Sequence, residues 1–224
     1  MGFQSYILEE VTAGFSSHAN ATEAAGMEAY MKGVAPYFGI KTPIRREILK
    51  PIYKSAPTPT SDQLGRTARA LWKLPEREFQ YAATGMLDYF NQYLEKDFVK
   101  DHCEYLLTHK PWWDTVDGLG SAVISPLTLR YNLLPLMKQW NKSENIWLVR
   151  AAIQHQRGRK SETDIPLLLK FCHDHADDHT FWIAKAIGWA LRDLAYFDRP
   201  SVTKFLNEHP GLDRVAVREA LRHA

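Results

Sequence analysis

The two-residue alternation of apolar and polar positions that marks a half-buried strand is sustained nowhere along this chain. The hairpin dipeptide Asn-Gly does not occur, and nearly every stretch carries helix start and stop signals. The pattern predicts an all-α protein. Thr42 followed by Pro43 reads as a cap with proline in the first turn, opening a helix over 43–56 that Pro51 is expected to end or kink. Thr58, Pro59, Thr60 and Ser61 form a polar break, with Ser61 positioned to cap a helix running through Leu71 and Trp72. Further starts are expected at Pro75 with Glu76 and Glu78, at Pro111, at Ser143 with Glu144, at Ser161 with Asp164, and at Asp178. Starts this frequent imply short helices.

A period organises them. Phe79, Trp113, Trp147 and Phe181 are spaced by 34 residues each time, and small or aliphatic residues follow each one a turn later. That is the length of one two-helix unit in TPR, HEAT or armadillo solenoids. The tetratricopeptide consensus is absent, so the expectation is a right-handed α-solenoid of HEAT-like repeats, about six helical pairs forming one domain over 1–224, with a concave binding face. No composition shift marks a second domain. Four residues after the periodic aromatics come Ala83, Asp117, Ala151 and Lys185, and eight after them Leu87, Ser121, His155 and Trp189. Positions four, eight and eleven on share a helical face, which would align Asp117, Trp189 and Arg192 on one stripe with Arg150 at its edge. An acid, an indole and two guanidiniums do not belong in a dry core.

Composition narrows the classes. With 45% hydrophobic and 24% charged residues, collagen-like and disordered chains are excluded. Only Cys103 and Cys172 are present, which excludes a disulfide framework and a Cys-rich zinc module and fits a reducing compartment. The start, MGFQSYILEEVTAG, lacks a basic flank and is interrupted by Glu9 and Glu10, so no secretory signal is read and a cytoplasmic protein is expected. No run approaches the roughly 18 apolar residues of a membrane span, and Tyr6 breaks the pattern for myristoylation at Gly2. Twenty-eight Lys and Arg against 26 Asp and Glu give +2, which leaves nucleic-acid binding to be decided by where the charges lie.

PWWDTVD, from Pro111 to Asp117, is the densest segment. Trp112 fits a core position, and Asp114 fits the positive end of a helix dipole. Trp113 and Asp117, four apart, would leave a carboxylate beside an indole without a local basic partner, an arrangement more typical of a site. CHDHADDH, from Cys172 to His179, holds residue types that bind metals but lacks standard zinc spacing, so no metal is expected. RGRK, from Arg157 to Lys160, reads as a solvated basic loop that can also touch phosphate.

Five ordered segments resemble the bacterial AlkD-like family of HEAT-repeat alkylpurine DNA glycosylases: YMKGVAPYFGIKTPIRREIL from Tyr30, LWKLPEREFQYAA from Leu71, PWWDTVD, NIWLVRAAI from Asn145 and KAIGWALRD from Lys185. The resemblance implies a catalytic carboxylate at Asp117 flanked by the indoles of Trp113 and Trp189, and a DNA-contacting arginine at Arg150. It also implies positions near DNA at Tyr30 and Arg192. Lys41 stands where the family pattern has a glutamine, and Gly158 where it has a lysine, although Arg157 and Arg159 flank the latter as candidate DNA contacts. No cofactor is implied. The expected partner is double-stranded DNA carrying alkylated purines, the expected state a monomer, and membrane association is not expected. Two other readings fit a helical-repeat chain: a noncatalytic DNA-binding relative, which Asp117 disfavours, and a peptide-binding scaffold.

Overall fold

The computed structural model describes residues 2–222. Among them every regular element is helical and no strand occurs. The chain divides into two compact units, Met1–Val123 and Ile124–Ala224.

The first unit holds α1 (Phe3–Ser17), α2 (Ala21–Tyr30), α3 (Thr42–Ser55), α4 (Ser61–Lys73), α5 (Arg77–Tyr89), α6 (Glu104–Thr108) and α7 (Trp113–Leu119). Phe3, Ile7, Val11 and Phe15 recur every four residues on α1 and are buried, the stripe that an amphipathic helix needs to pack against α3 and α4. Phe79 closes a triangle of rings with Phe15 and Phe38, whose centroids are 5.6 and 5.4 Å from its own and 6.0 Å from each other. The loop ahead of α3 is held by a buried carboxylate: Glu78 accepts from the backbone N–H groups of Phe38, Gly39 and Ile40 at 2.9–3.1 Å. Gly39 has φ +85°, and a Cβ there would lie 2.1 Å from the Asn20 carbonyl oxygen, so only glycine fits the turn.

The second unit holds α8 (Ser125–Arg130), α9 (Leu134–Trp140), α10 (Ile146–Ile153), α11 (Ile165–His173), α12 (Phe181–Ala195), α13 (Arg199–Glu208) and α14 (Arg214–Ala220). Its core is built on Ile183, Ala184, Ile187, Leu191 and Leu194 of α12, against which α10, α11, α13 and α14 pack. None of the helices of the described residues is long and apolar enough to cross a membrane.

The period has a structural meaning. Phe79, Trp113, Trp147 and Phe181 all fall in the first turn of a helix, in α5, α7, α10 and α12. Within each unit the successive members lie side by side, α5 against α7 and α10 against α12, as equivalent helices of stacked repeats do.

Local boundaries shift. Thr60, not Ser61, caps α4 through a capping box, its hydroxyl accepting from Gln63 N–H while Gln63 Oε1 accepts from Thr60 N–H. Ser61 instead accepts the backbone N–H of Glu95. Pro51 does not end α3, which continues to Ser55 because Leu49, Ile52 and Tyr53 are buried and the Tyr53 hydroxyl donates to the Ala82 carbonyl at 2.7 Å. The expected starts at Pro111, Ser143, Ser161 and Asp178 lie a few residues early; the N-caps are Trp112, Asn145, Asp164 and Thr180. Ser143 and Asp178 keep a part in their starts, accepting from the N–H of Asn145 and of Thr180.

Candidate active site

In the first unit the site is built on α7. Trp113 and Asp117 stand one turn apart on this helix, both half-buried, and therefore share a face. Trp112 and Trp113 both pack against the apolar cluster of Ala24, Met31 and Tyr37, so the assignment of Trp112 alone to the core is corrected: the two indoles divide the same cluster. Beneath them Asp114 does far more than complement a dipole. Arg77, 1% exposed, grips it with Nη2 on Oδ1 at 2.6 Å and Nε on Oδ2 at 3.0 Å. The same guanidinium donates to the Lys110 carbonyl and the Thr115 hydroxyl, each at 2.9 Å, which fixes the turn into α7 in which Lys110 adopts φ +49°. Tyr81 donates its hydroxyl to Asp114 Oδ2 at 2.6 Å and lies 3.1 Å from the Tyr37 hydroxyl. Burial tends to lower the Arg77 pKa, but its bond and charge partner Asp114 outweigh that and raise it. Burial pushes Tyr37 up to about 12, and burial together with the Asp114 charge raises Tyr81 further. The network stays a fixed ion pair with neutral phenols at neutral pH.

In the second unit the site is built around one ring. The Trp189 indole has four cations about its centroid: Arg157 at 5.1 Å, Arg150 at 5.4 Å, Arg192 at 5.5 Å and Lys185 at 5.9 Å. All lie within the distance at which an aromatic quadrupole attracts a cation. Two carboxylates stand among them. Glu219 accepts from Lys185 Nζ at 2.6 Å and from the Trp189 indole N–H at 3.1 Å, and Asp193 lies 4.0 Å from Arg157 Nε. The Lys185 hydrogen bond, against the opposing effect of burial, holds the Glu219 carboxyl below the usual carboxylate range, whereas burial raises that of Asp193 despite Arg157 and Arg192. Next to Trp189 a cavity of about 360 Å³ opens, with Tyr196, Phe197 and Leu168 in its walls.

The remaining expected residues have varied settings. Arg150 is 1% exposed, and its Nη1 donates to the Trp182 carbonyl at 2.7 Å; it is a buried member of the cluster rather than a surface arginine. Arg157 and Arg192 are half-buried. Arg159 donates through Nη2 to the Ser125 carbonyl and the Thr128 hydroxyl, tying its loop to α8. Tyr30 is 73% exposed at the end of α2, and Lys41 pairs with Glu23 at 2.7 Å. The histidines of CHDHADDH go separate ways, His173 to His209, His175 to the Asn141 carbonyl and His179 to Asp213. No group of three or more potential metal ligands occurs among the described residues.

Two features escape the sequence. The partners Arg77 and Asp114 are 37 residues apart, and nothing in the chain links them. Glu219 carries a signal: one further step of 34 from Phe181 reaches Val215, and four residues on stands Glu219, the counterpart of Asp117 and Lys185.

A family model described as DNA alkylation repair enzyme matches residues 11–224. A solved structure described as a predicted DNA alkylation repair enzyme from Enterococcus faecalis is similar at a TM-score of 0.83 and 30% identity, over 91% of this chain and 95% of that one. AlkD2 from Streptococcus mutans is similar at a TM-score of 0.60 and 16% identity, over 81% of this chain and 89% of its own. The smu.31 structure from Streptococcus mutans UA159 gives 0.58 and 17%, over 80% and 90%. The two Streptococcus structures, at such identities, bear on the fold alone, an all-α architecture of HEAT-like repeats. No curated protein matches the chain.

Proposed function

The chain belongs to the DNA alkylation repair enzyme family, and on that premise we propose that it is a monofunctional DNA glycosylase, hydrolysing the N-glycosidic bond of cationic N3- or N7-alkylated purines in duplex DNA without a deep pocket for a flipped base. The observation that carries this is α7 itself. Asp117 shares a face of this helix with the Trp113 indole, and the neighbouring Asp114 anchors the helix through the Arg77 bridge. One helix thus carries both the acid that fixes it and the acid proposed to act.

Loss of the base develops positive charge on the deoxyribose, an oxocarbenium-like species. The Asp117 carboxylate stabilises that charge and orients the attacking water. A purine alkylated at N3 or N7 already carries a positive charge and leaves as a neutral base, so no general acid is required and one carboxylate suffices. Trp113 and Trp189 offer indole faces, each worth about 0.5–2 kcal/mol towards a cationic group. Arg157 and Arg192 bind phosphates through forked hydrogen bonds, and Arg150 acts on DNA chiefly by supporting Trp189. Tyr30, Lys41 and Arg159 are outlying DNA contacts, Lys41 on exchanging Glu23 for phosphate.

The test is release of 7-methylguanine from methylated duplex. Wild type is expected to release it, and Asp117→Asn, which keeps shape but removes charge, to slow release by about a hundredfold, about 2.7 kcal/mol. DNA affinity should hold or rise, because a carboxylate facing phosphates repels them. Borohydride should trap no covalent complex, since no Schiff base forms. Excision at the wild-type rate by Asp117→Asn, or wild-type binding without release of base, would return the protein to the noncatalytic DNA-binding class.

A further inference from the structure

We infer that Glu219 is a positioning residue for the Trp189 indole, and that it acts by gathering the polar groups of one face of α12 onto a single buried carboxylate. The inference rests on Trp189 serving excision as proposed above.

Lys185, Trp189 and Arg192 lie at i, i+4 and i+7 of α12, hence on one face. All three turn their polar groups to Glu219: Lys185 Nζ to Oε1 at 2.6 Å, Trp189 Nε1 to Oε2 at 3.1 Å and Arg192 Nη1 to Oε2 at 3.4 Å. Arg222 approaches Oε2 at 3.8 Å from α14's own end. The side chain is only 5% exposed. It reaches this depth because α14 crosses α12 at a glycine: a Cβ on Gly188 would lie 2.6 Å from Glu219 Cβ and 2.7 Å from the Ala216 carbonyl oxygen. The crossing leaves room for the carboxylate and for little else.

Packing alone does not call for a charge there. Buried ion pairs are commonly no more stabilising than apolar residues of the same volume, and α12 and α14 already share Ile183, Ile187, Leu191, Ala216 and Ala220 in their common core. What an apolar residue cannot do is accept the indole N–H. That bond pins the Trp189 ring in the plane in which Arg150, Arg157 and Arg192 lie 5.1–5.5 Å from its centroid. Glu219 also offsets Lys185, one of the four cations about the ring, and so lessens the positive charge that a cationic lesion and a developing oxocarbenium would face. Orientation of the ring and local charge balance are both set from one position.

The test measures single-turnover release of 7-methylguanine at saturating DNA together with DNA affinity, for four proteins. Glu219→Ala should slow release at least tenfold while changing affinity less than threefold. Glu219→Gln should be slow too: with the amide oxygen on one donor, its NH2 faces another. Replacing both partners, Glu219→Gln with Lys185→Met, keeps the local charge balance and frees the amide oxygen for the indole N–H, and should restore the rate to within about threefold of wild type. A matched loss of both charges would also relieve a merely structural defect, because changes at contacting residues couple rather than add, so the rescue is read together with the state of the indole N–H itself. Wild-type release by Glu219→Ala, or a double variant no faster than Glu219→Gln, would overturn the inference. The indole N–H resonance of Trp189 is an independent readout: it should shift in Glu219→Ala and return in the double variant, and an unmoved resonance also overturns the positioning role. Wild type that releases no base would sink the proposed function while this resonance still decides whether Glu219 holds the ring.

Discussion

The two units each set an indole beside a buried carboxylate, and they satisfy that carboxylate in opposite ways. In the first unit Asp114 has one cation, Arg77, bound bidentately and buried with it. Two tyrosines extend the chain, and Trp113 rests on an apolar cluster. In the second unit Glu219 has Lys185, Arg192 and Arg222 within 4 Å as well as the Trp189 N–H, and the ring itself is bordered by four cations. One arrangement is a single strong joint, and the other is shared among many donors. The difference fits the roles proposed above: α7 would hold Trp113 and Asp117 in one geometry, whereas the surroundings of Trp189, proposed to meet the polyanion, carry more positive charge than they spend internally.

The sharpest way to break the comparison is to remove one cation from each. Arg77→Met leaves Asp114 buried without its partner and should cost about 3–5 kcal/mol in urea denaturation. Lys185→Met leaves Glu219 with Trp189, Arg192 and Arg222 and should cost less than about 1 kcal/mol, in the range of a partly solvated pair. Equal losses would show that the number of partners does not matter and that the two carboxylates are held alike.

A second contrast is in pH response. His155, in the second unit, is buried against Phe171 with Nδ1 2.6 Å from the Ala152 carbonyl. Burial lowers its pKa to about 4. The unfolded chain therefore takes up a proton between pH 6.5 and 4 that the folded chain refuses, so the contribution is complete above about pH 6.5 and is lost as pH falls. The whole window is worth about 3 kcal/mol, roughly two-thirds of it gone by pH 5. Arg77 supplies no such loss in that window, since the Asp114 bond and charge raise its pKa against the effect of burial. His155→Gln should flatten the fall in urea stability between pH 7 and pH 5 by about 2 kcal/mol; an unchanged slope would assign the acid sensitivity elsewhere.

What the chain reveals of this in advance follows from the range of each interaction. The 34-residue period is written in large aromatics, and it locates the first turns of α5, α7, α10 and α12, although burial does not follow it throughout: Phe79 and Trp147 are buried, Trp113 is half-buried and Phe181 is exposed. Caps are less legible. Thr60 and Ser61 are both good N-caps, and the choice between them rests on Gln63 closing the box. Pro51 looks like a helix end, but three buried side chains on α3 outweigh its missing N–H. The Arg77 bridge is invisible because an arginine inside an amphipathic helix ordinarily faces water. Arg150 has the same difficulty: its residue type suggests a surface contact, and the hydrogen bond to the Trp182 carbonyl and the rings of Trp182 and Trp189 that favour a buried guanidinium come from residues 32 or more positions away. Glu219 was within reach of the period, one repeat beyond the last aromatic, where valine stands instead.

The smallest effect separates the accessible arginines around Trp189 from the buried one. Arg157 is about one-third exposed and its ion partner Asp193 is 4.0 Å away, so its guanidinium is free to turn to phosphate at little internal cost. Arg157→Ala should weaken duplex binding by about 1 kcal/mol, equally for undamaged and methylated DNA, and reduce the slope of log affinity against log salt by about one. Release of base at saturating DNA should be nearly unchanged. Arg150→Ala should do the reverse, slowing release more than it weakens binding, because its Nη1 is committed to the Trp182 carbonyl and its guanidinium carbon lies 5.4 Å from the Trp189 ring centroid. Salt titrations of both variants, beside single-turnover rates, decide between them. Should Arg150→Ala lower the salt slope as Arg157→Ala does, Arg150 must leave its buried position to meet DNA, and the cluster around Trp189 is a binding surface throughout rather than a supported ring with a phosphate-binding edge.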